Sequence, residues 1–159
     1  MKKNYCFGKH PKKEDRLDRT LKFAKYVTAL APPPPAFDNL ATVYNKLKIS
    51  DPTKLFPMDG NDTYGDCTIA GISHADTLYN GLIGKKSIAS RCAVLRLYRK
   101  LTGGVDSGLN ELDVLNFWRQ NKCFGDKIVA YCEIDPKNHL HIQQAIQLFG
   151  GVYLGFNVQ

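Results

Sequence analysis

The run Gly60-Asn61-Asp62-Thr63-Tyr64-Gly65-Asp66-Cys67-Thr68-Ile69-Ala70-Gly71-Ile72-Ser73-His74-Ala75 constrains the chain more than any other stretch. Its first half is turn chemistry, two glycines with Asn and Asp between them. Its second half predicts a helix over about 66–80, with Gly71, Ile72, Ala75, Leu78 and Tyr79 on one apolar face. Cys67 falls at the junction, in the first turn of that helix, where free backbone N–H groups and the positive end of the dipole favour thiolate over thiol. Ala70 and Gly71 leave room on the next turn for another wall to approach the sulfur. Asn61, six residues upstream, carries an amide donor. Together these make Cys67 a candidate nucleophile and Asn61 half of a candidate oxyanion hole. The competing reading is a cysteine acting as a small buried hydrophobe.

The rest of the chain frames that helix. The segment 17–30 has apolar residues at helical spacing and predicts a short helix, after which Pro32-Pro33-Pro34-Pro35 imposes an extended, polyproline-like strap. A helical turn is expected around 40–47. Ser87 is the expected cap of a second helix over 88–101, whose apolar positions include Cys92, Val94, Leu95, Leu97 and Tyr98. A third helix is expected over 110–121 with Leu112, Leu115 and Trp118 inward. A fourth spans 138–149 with Ile142, Ala145, Ile146 and Phe149 toward the core. Alternation over 128–134 fits a strand, and 152–158 is a second β-rich apolar run. Two strands make no independent sheet, so the remaining strands are expected beyond Gln159 or on another chain.

At 159 residues, 43% of them hydrophobic, the chain has the size and composition of one globular domain. Its net charge of +7 is uneven. Residues 1–30 hold nine Lys and Arg against Glu14, Asp15 and Asp18, which leaves +6 there and +1 in the remainder. The expected organisation is a basic N-terminal arm, 1–30, and a domain, 31–159. Such an arm is either a solvated tail or a contact for an acidic partner or nucleic acid. No stacking-aromatic or recognition-helix pattern accompanies it. Five cysteines at irregular spacing, with no signal peptide before them, read as reduced thiols in a cytosolic setting. No segment has the length of a membrane span.

The order of elements and the Asn61 to Cys67 spacing resemble the papain-like cysteine peptidase superfamily, in which an amide residue stands six positions before a cysteine that opens the central helix. Three segments, Met58-Asp59-Gly60-Asn61-Asp62-Thr63-Tyr64-Gly65-Asp66-Cys67, Glu111-Leu112-Asp113-Val114-Leu115-Asn116-Phe117-Trp118-Arg119 and Leu148-Phe149-Gly150-Gly151-Val152-Tyr153-Leu154-Gly155, are similar to a group of papain-like proteins from bacterial and tailed-phage genomes. The resemblance implies an α+β, papain-like fold: a mostly helical lobe with an incomplete β portion. It places Cys67 at the nucleophile and Asn61 at the oxyanion position, where peptidases usually carry Gln. The family's general-base His comes from the β lobe and has no counterpart here. His74 lies two helical turns, about 10 Å, beyond Cys67 and reads as a packed histidine. His139 and His141 open the fourth helix. A zinc site from Cys67, His74, Cys123, Cys132, His139 and His141 lacks closely spaced ligand pairs, so neither metal nor cofactor is expected.

Two functions follow. One is a thiol hydrolase acting on peptide or amide bonds, present as a fragment or one chain of a pair, in the cytoplasm. The other is a non-catalytic structural or interaction protein on the same fold, such as a phage virion component, which joins protein neighbours through the terminal strand and the basic arm.

Overall fold

The computed structural model describes residues 21–27, 32–34, 36 and 38–155. The architecture is mostly helical: α1 (Asn39–Leu47), α2 (Cys67–Leu82), α3 (Arg91–Thr102), α4 (Glu111–Gln120) and α5 (His139–Phe149), with two short strands, β1 (Leu21–Lys22) and β2 (Cys132–Glu133). No helix among the described residues is long and apolar enough to cross a membrane.

Four helices begin on a side-chain cap. Asp38 accepts from the Ala41 N–H, Ser90 from Ala93, Asn110 from Leu112 and Asn138 from His141, each satisfying a main-chain donor that the first turn leaves free. The cap of α3 is therefore Ser90 rather than Ser87. The Ser87 hydroxyl is committed elsewhere, donating to Asp76 Oδ2 at 3.2 Å. The exception is α2. Its N-cap residue is Asp66, a good capping type, yet the Asp66 carboxylate accepts no capping hydrogen bond.

The main core gathers Ile69 and Ile72 of α2, Val94 and Tyr98 of α3, Val114 and Trp118 of α4, and Cys123. The helix α2 is the central element, and much of its buried surface is polar: Thr68, Ser73, Asp76, Thr77 and Asn80 are all enclosed. The expected stripe through Tyr79 is displaced, since Tyr79 stands on the surface. On α3, Cys92 is exposed, and on α5 Phe149 is half-exposed while Gln144 and Ala145 are buried. Two glycines let neighbours onto α2. A Cβ at Gly81 would meet Val43 Cγ1 of α1 at 2.5 Å, and one at Gly71 would meet the Tyr153 ring at 2.6 Å.

The strands are shorter than the alternation predicts. In 128–134 only Cys132–Glu133 is strand, paired with Leu21–Lys22 of β1. Val129, off the expected apolar face, is 93% exposed, whereas Ile128, Cys132 and Ile134 of that face are half-buried against the two cores. The pairing is parallel, Leu21 with Cys132 and Lys22 with Glu133, and an ion pair joins Lys22 to Glu133. Residues 151–155 form no strand; 156–158 lie outside the described residues. The helix expected over 17–30 is, in its described part, β1 followed by a 3-10 turn at Phe23–Lys25. Phe23 and Val27 pack with Ala145, against Cys132, Ile134 and Val152, in a second small core. The end of the basic segment is thus built into the body of the protein; residues 1–20 lie outside the described residues.

Candidate functional site

Residues 57–66 reach α2 through a series of turns in which Asp59 and Gly60 adopt positive φ, +57° and +110°. The loop is fixed at its far end by Asp106, whose Oδ1 accepts from the Gly65 N–H at 2.9 Å and from the Tyr98 hydroxyl at 2.7 Å. Cys67 follows as the first residue of α2, exposed as a whole. Asn61 sits in the loop, half-buried, its N–H donating to the Met58 carbonyl at 2.9 Å. No hydrogen bond among the described residues joins the Asn61 amide to Cys67.

The electrostatics of Cys67 differ from the expectation of a thiolate-favouring helix start. Its thiol is pushed above the ordinary cysteine range, first by the protein atoms that crowd the sulfur, then by the negative charges of Asp66 and Glu111. The main-chain N–H groups of Thr68 and Cys67 pull the other way, as a helix N-terminus should, and are outweighed. Glu111 opens α4 and lies against the backbone of Gly155, leaving no space for a Cβ there. Between α4 and α2 comes Tyr153, whose hydroxyl donates to the Thr68 carbonyl at 2.9 Å while its ring covers Gly71. Burial, with Glu111 and Cys67 adding to it, pushes the Tyr153 phenol up, so it is a neutral donor. The C-terminal segment therefore forms one wall of the Cys67 site.

The histidines are placed elsewhere. His74 Nε2 lies 2.9 Å from the Pro57 carbonyl and 3.4 Å from Asp59 Oδ2, with the ring edge-on to Phe56. It ties α2 to the loop's entrance, the packed role expected of it. His141 packs edge-on to Phe23, and His139 is exposed at the start of α5. Among the described residues no three of His, Cys, Asp and Glu form a group that could hold a metal ion.

Beneath the loop lie two carboxylates that the residue pattern did not single out. Asp66 is fully buried and Asp59 is 3% exposed. Asp59 Oδ2 accepts from the Ser73 hydroxyl at 3.3 Å and faces His74, whereas Asp59 Oδ1 and both oxygens of Asp66 have no hydrogen-bond partner. Burial pushes the Asp66 carboxyl up to about 6; its own main-chain N–H is the strongest opposing influence, the Asp59 and Asp106 charges add to the rise, and Arg91 opposes it weakly. Asp59 is likewise raised by burial, with His74 and Ser73 pulling it back.

No protein-family model, curated protein or solved structure matches the chain. The functional assignment rests on the site's own chemistry.

Asp59 and Asp66 were hidden because Asp in a Gly- and Asn-rich run signals a turn. Their burial depends on α3, which supplies Leu95 over Gly60.

Proposed function

We propose that the protein is a papain-like thiol hydrolase for peptide or amide bonds, with Cys67 as the nucleophile. The observation that carries this reading is the position of Cys67: exposed, first in the central helix, with the N–H groups of Cys67 and Thr68 directed to its sulfur. Those donors suit the negative charge that develops when a thiolate adds to a carbonyl, and Asn61 is a third donor once a substrate is seated. The base that takes the thiol proton comes from outside the described residues. Burial, with Asp66 and Glu111 adding to it, keeps the thiol protonated until then, which fits an enzyme activated by assembly or substrate.

A second reading has its own observation. Two carboxylates beside a thiol oppose nucleophilic chemistry, so the same surroundings suit an interaction protein that binds its neighbours without turnover. One experiment separates the two. The hydrolase reading expects an acyl-type electrophilic peptide probe at neutral pH to label Cys67 at least about tenfold faster than Cys92, an exposed helical thiol outside any site. Labelling of Cys67 no faster than Cys92 would end it in favour of the second.

A further inference from the structure

The first turn of α2 is held differently from those of its neighbours. In α1, α3, α4 and α5 a first-turn N–H is committed to the side chain of the residue before the helix, whereas the Asp66 side chain makes no such bond. A side-chain cap accepts from the second or third N–H of a helix, here Thr68 or Ile69. Instead the Asp66 main-chain carbonyl takes the Ile69 and Ala70 N–H groups, at 2.8 and 2.9 Å, and those of Cys67 and Thr68 point to the sulfur. Helix ends without a cap fray more readily.

The restraint that the cap does not supply comes from Tyr153. Its hydroxyl, 85 positions away in the chain, donates to the Thr68 carbonyl at 2.9 Å. Its ring lies on the bare backbone of Gly71, where a Cβ would meet Cε2 at 2.6 Å and Cδ2 at 3.3 Å. Thr68 and Gly71, three residues apart, share a face of the helix, so one side chain grips both. The grip acts on the carbonyl side and leaves the first two N–H groups free. Tyr153 is fixed in turn by the segment around it: Val152 packs in the small core with Phe23, Val27 and Ala145, Tyr153 against the main core, and Gly155 against Glu111.

We infer that Tyr153 is a positioning residue for acyl transfer at Cys67: by gripping Thr68 and Gly71 it aims the Cys67 and Thr68 N–H groups at the oxygen of the attacked carbonyl. This role rests on the hydrolase reading and extends it to a residue that acts through the backbone of α2. In the step concerned, the base takes the thiol proton and the sulfur adds to the carbonyl carbon. Negative charge collects on the oxygen, and collapse expels the leaving group to give a thioester at Cys67. The aim of the donors matters only while that oxygen is charged. It therefore governs acylation, and not displacement at a saturated carbon.

The test uses two reagents on the full chain at pH 8, each read at Cys67 against Cys92 by mass spectrometry. A peptide thioester acylates through the charged oxygen, expelling its thiolate. Iodoacetamide alkylates by displacement of iodide and forms no such oxygen. Tyr153→Phe keeps the ring on Gly71 and deletes the hydroxyl. It is expected to slow acylation by about tenfold to a hundredfold, with alkylation within about twofold of wild type. Gly71→Ala, which pushes the ring off α2, is expected to give the same selective loss. Acylation of Tyr153→Phe at the wild-type rate, or an equal change in both reactions, overturns the inference and leaves Tyr153 a packing residue. Wild-type acylation of Cys67 no faster than that of Cys92 removes the reaction itself, and this role with it, before any variant is compared. If Tyr153→Phe does not fold, Gly71→Ala decides by the same comparison.

Discussion

Around Cys67 the balance of influences on one proton is unusually exposed to single changes. The helix start pulls toward thiolate, while crowding and the two acids Asp66 and Glu111 pull toward thiol, and the second group wins. Glu111 is the accessible lever, since it is half-buried and its first-turn position on α4 already suits a negative charge. Replacing it by Gln removes a negative charge near the sulfur, which lowers the thiol's proton affinity and raises the thiolate fraction at any pH below the titration. Glu111→Gln is expected to speed alkylation of Cys67 by about twofold to fivefold at pH 7–8, read by mass spectrometry against Cys92 in the same molecule. In the unmodified protein the Cys67 rate should still be climbing as pH passes 9, because a raised pKa shifts the whole curve upward. A plateau below pH 8 would contradict the geometry described.

Helix α2 is held by small residues where others come close. At Gly81 the backbone of α2 and the Val43 side chain of α1 leave no room for a methyl group, as the nearest carbon would be 2.5 Å away. Gly81→Ala improves helix propensity by up to about 1 kcal/mol, but Val43 is fully buried and cannot swing aside cheaply. Overpacking costs about 1–3 kcal/mol. The net change should therefore be destabilising, measured as a lower urea midpoint at unchanged slope; a midpoint at or above wild type would show that α1 moves freely on α2. At this scale the sequence was informative about helices and poor about strands, for physical reasons. Asn110, Asn138 and the glycines at 103 and 150 mark helix ends through local chemistry, so those boundaries were legible within a residue or two. Ser87 misled because a hydroxyl that caps and one that reaches Asp76 look alike in sequence. The alternation over 128–134 has strand character, but only a partner distant in the chain decides how much of it pairs. The polar flank of α2, and with it Asp59 and Asp66, was invisible because burial of Ser73, Asp76 and Thr77 is imposed by packing that no local pattern records.

Among the described residues two apolar clusters form, one among α2, α3 and α4 and one where Phe23 and Val27 meet α5 and the β2 region. Phe23 is the anchor of the second: it is 2% exposed and lies edge-on to both His141 and Phe149. Phe23→Ala should cost about 3–5 kcal/mol by denaturant titration, with new proteolytic cleavage near residues 21–27. A loss under about 1 kcal/mol would mean that this segment is not part of the cooperative unit.

The parallel clasp of β1 on β2 also has a kinetic meaning. Its ion pair joins residues 111 positions apart, whereas α2 and α3 meet across a short connection. Closing so long a loop is entropically dear before its contacts repay it. The three-helix cluster should therefore condense first, and the clasp should shut late, after the rate-limiting barrier. In the same Phe23→Ala variant, the lost stability should then appear almost wholly as faster unfolding, with the refolding rate close to wild type.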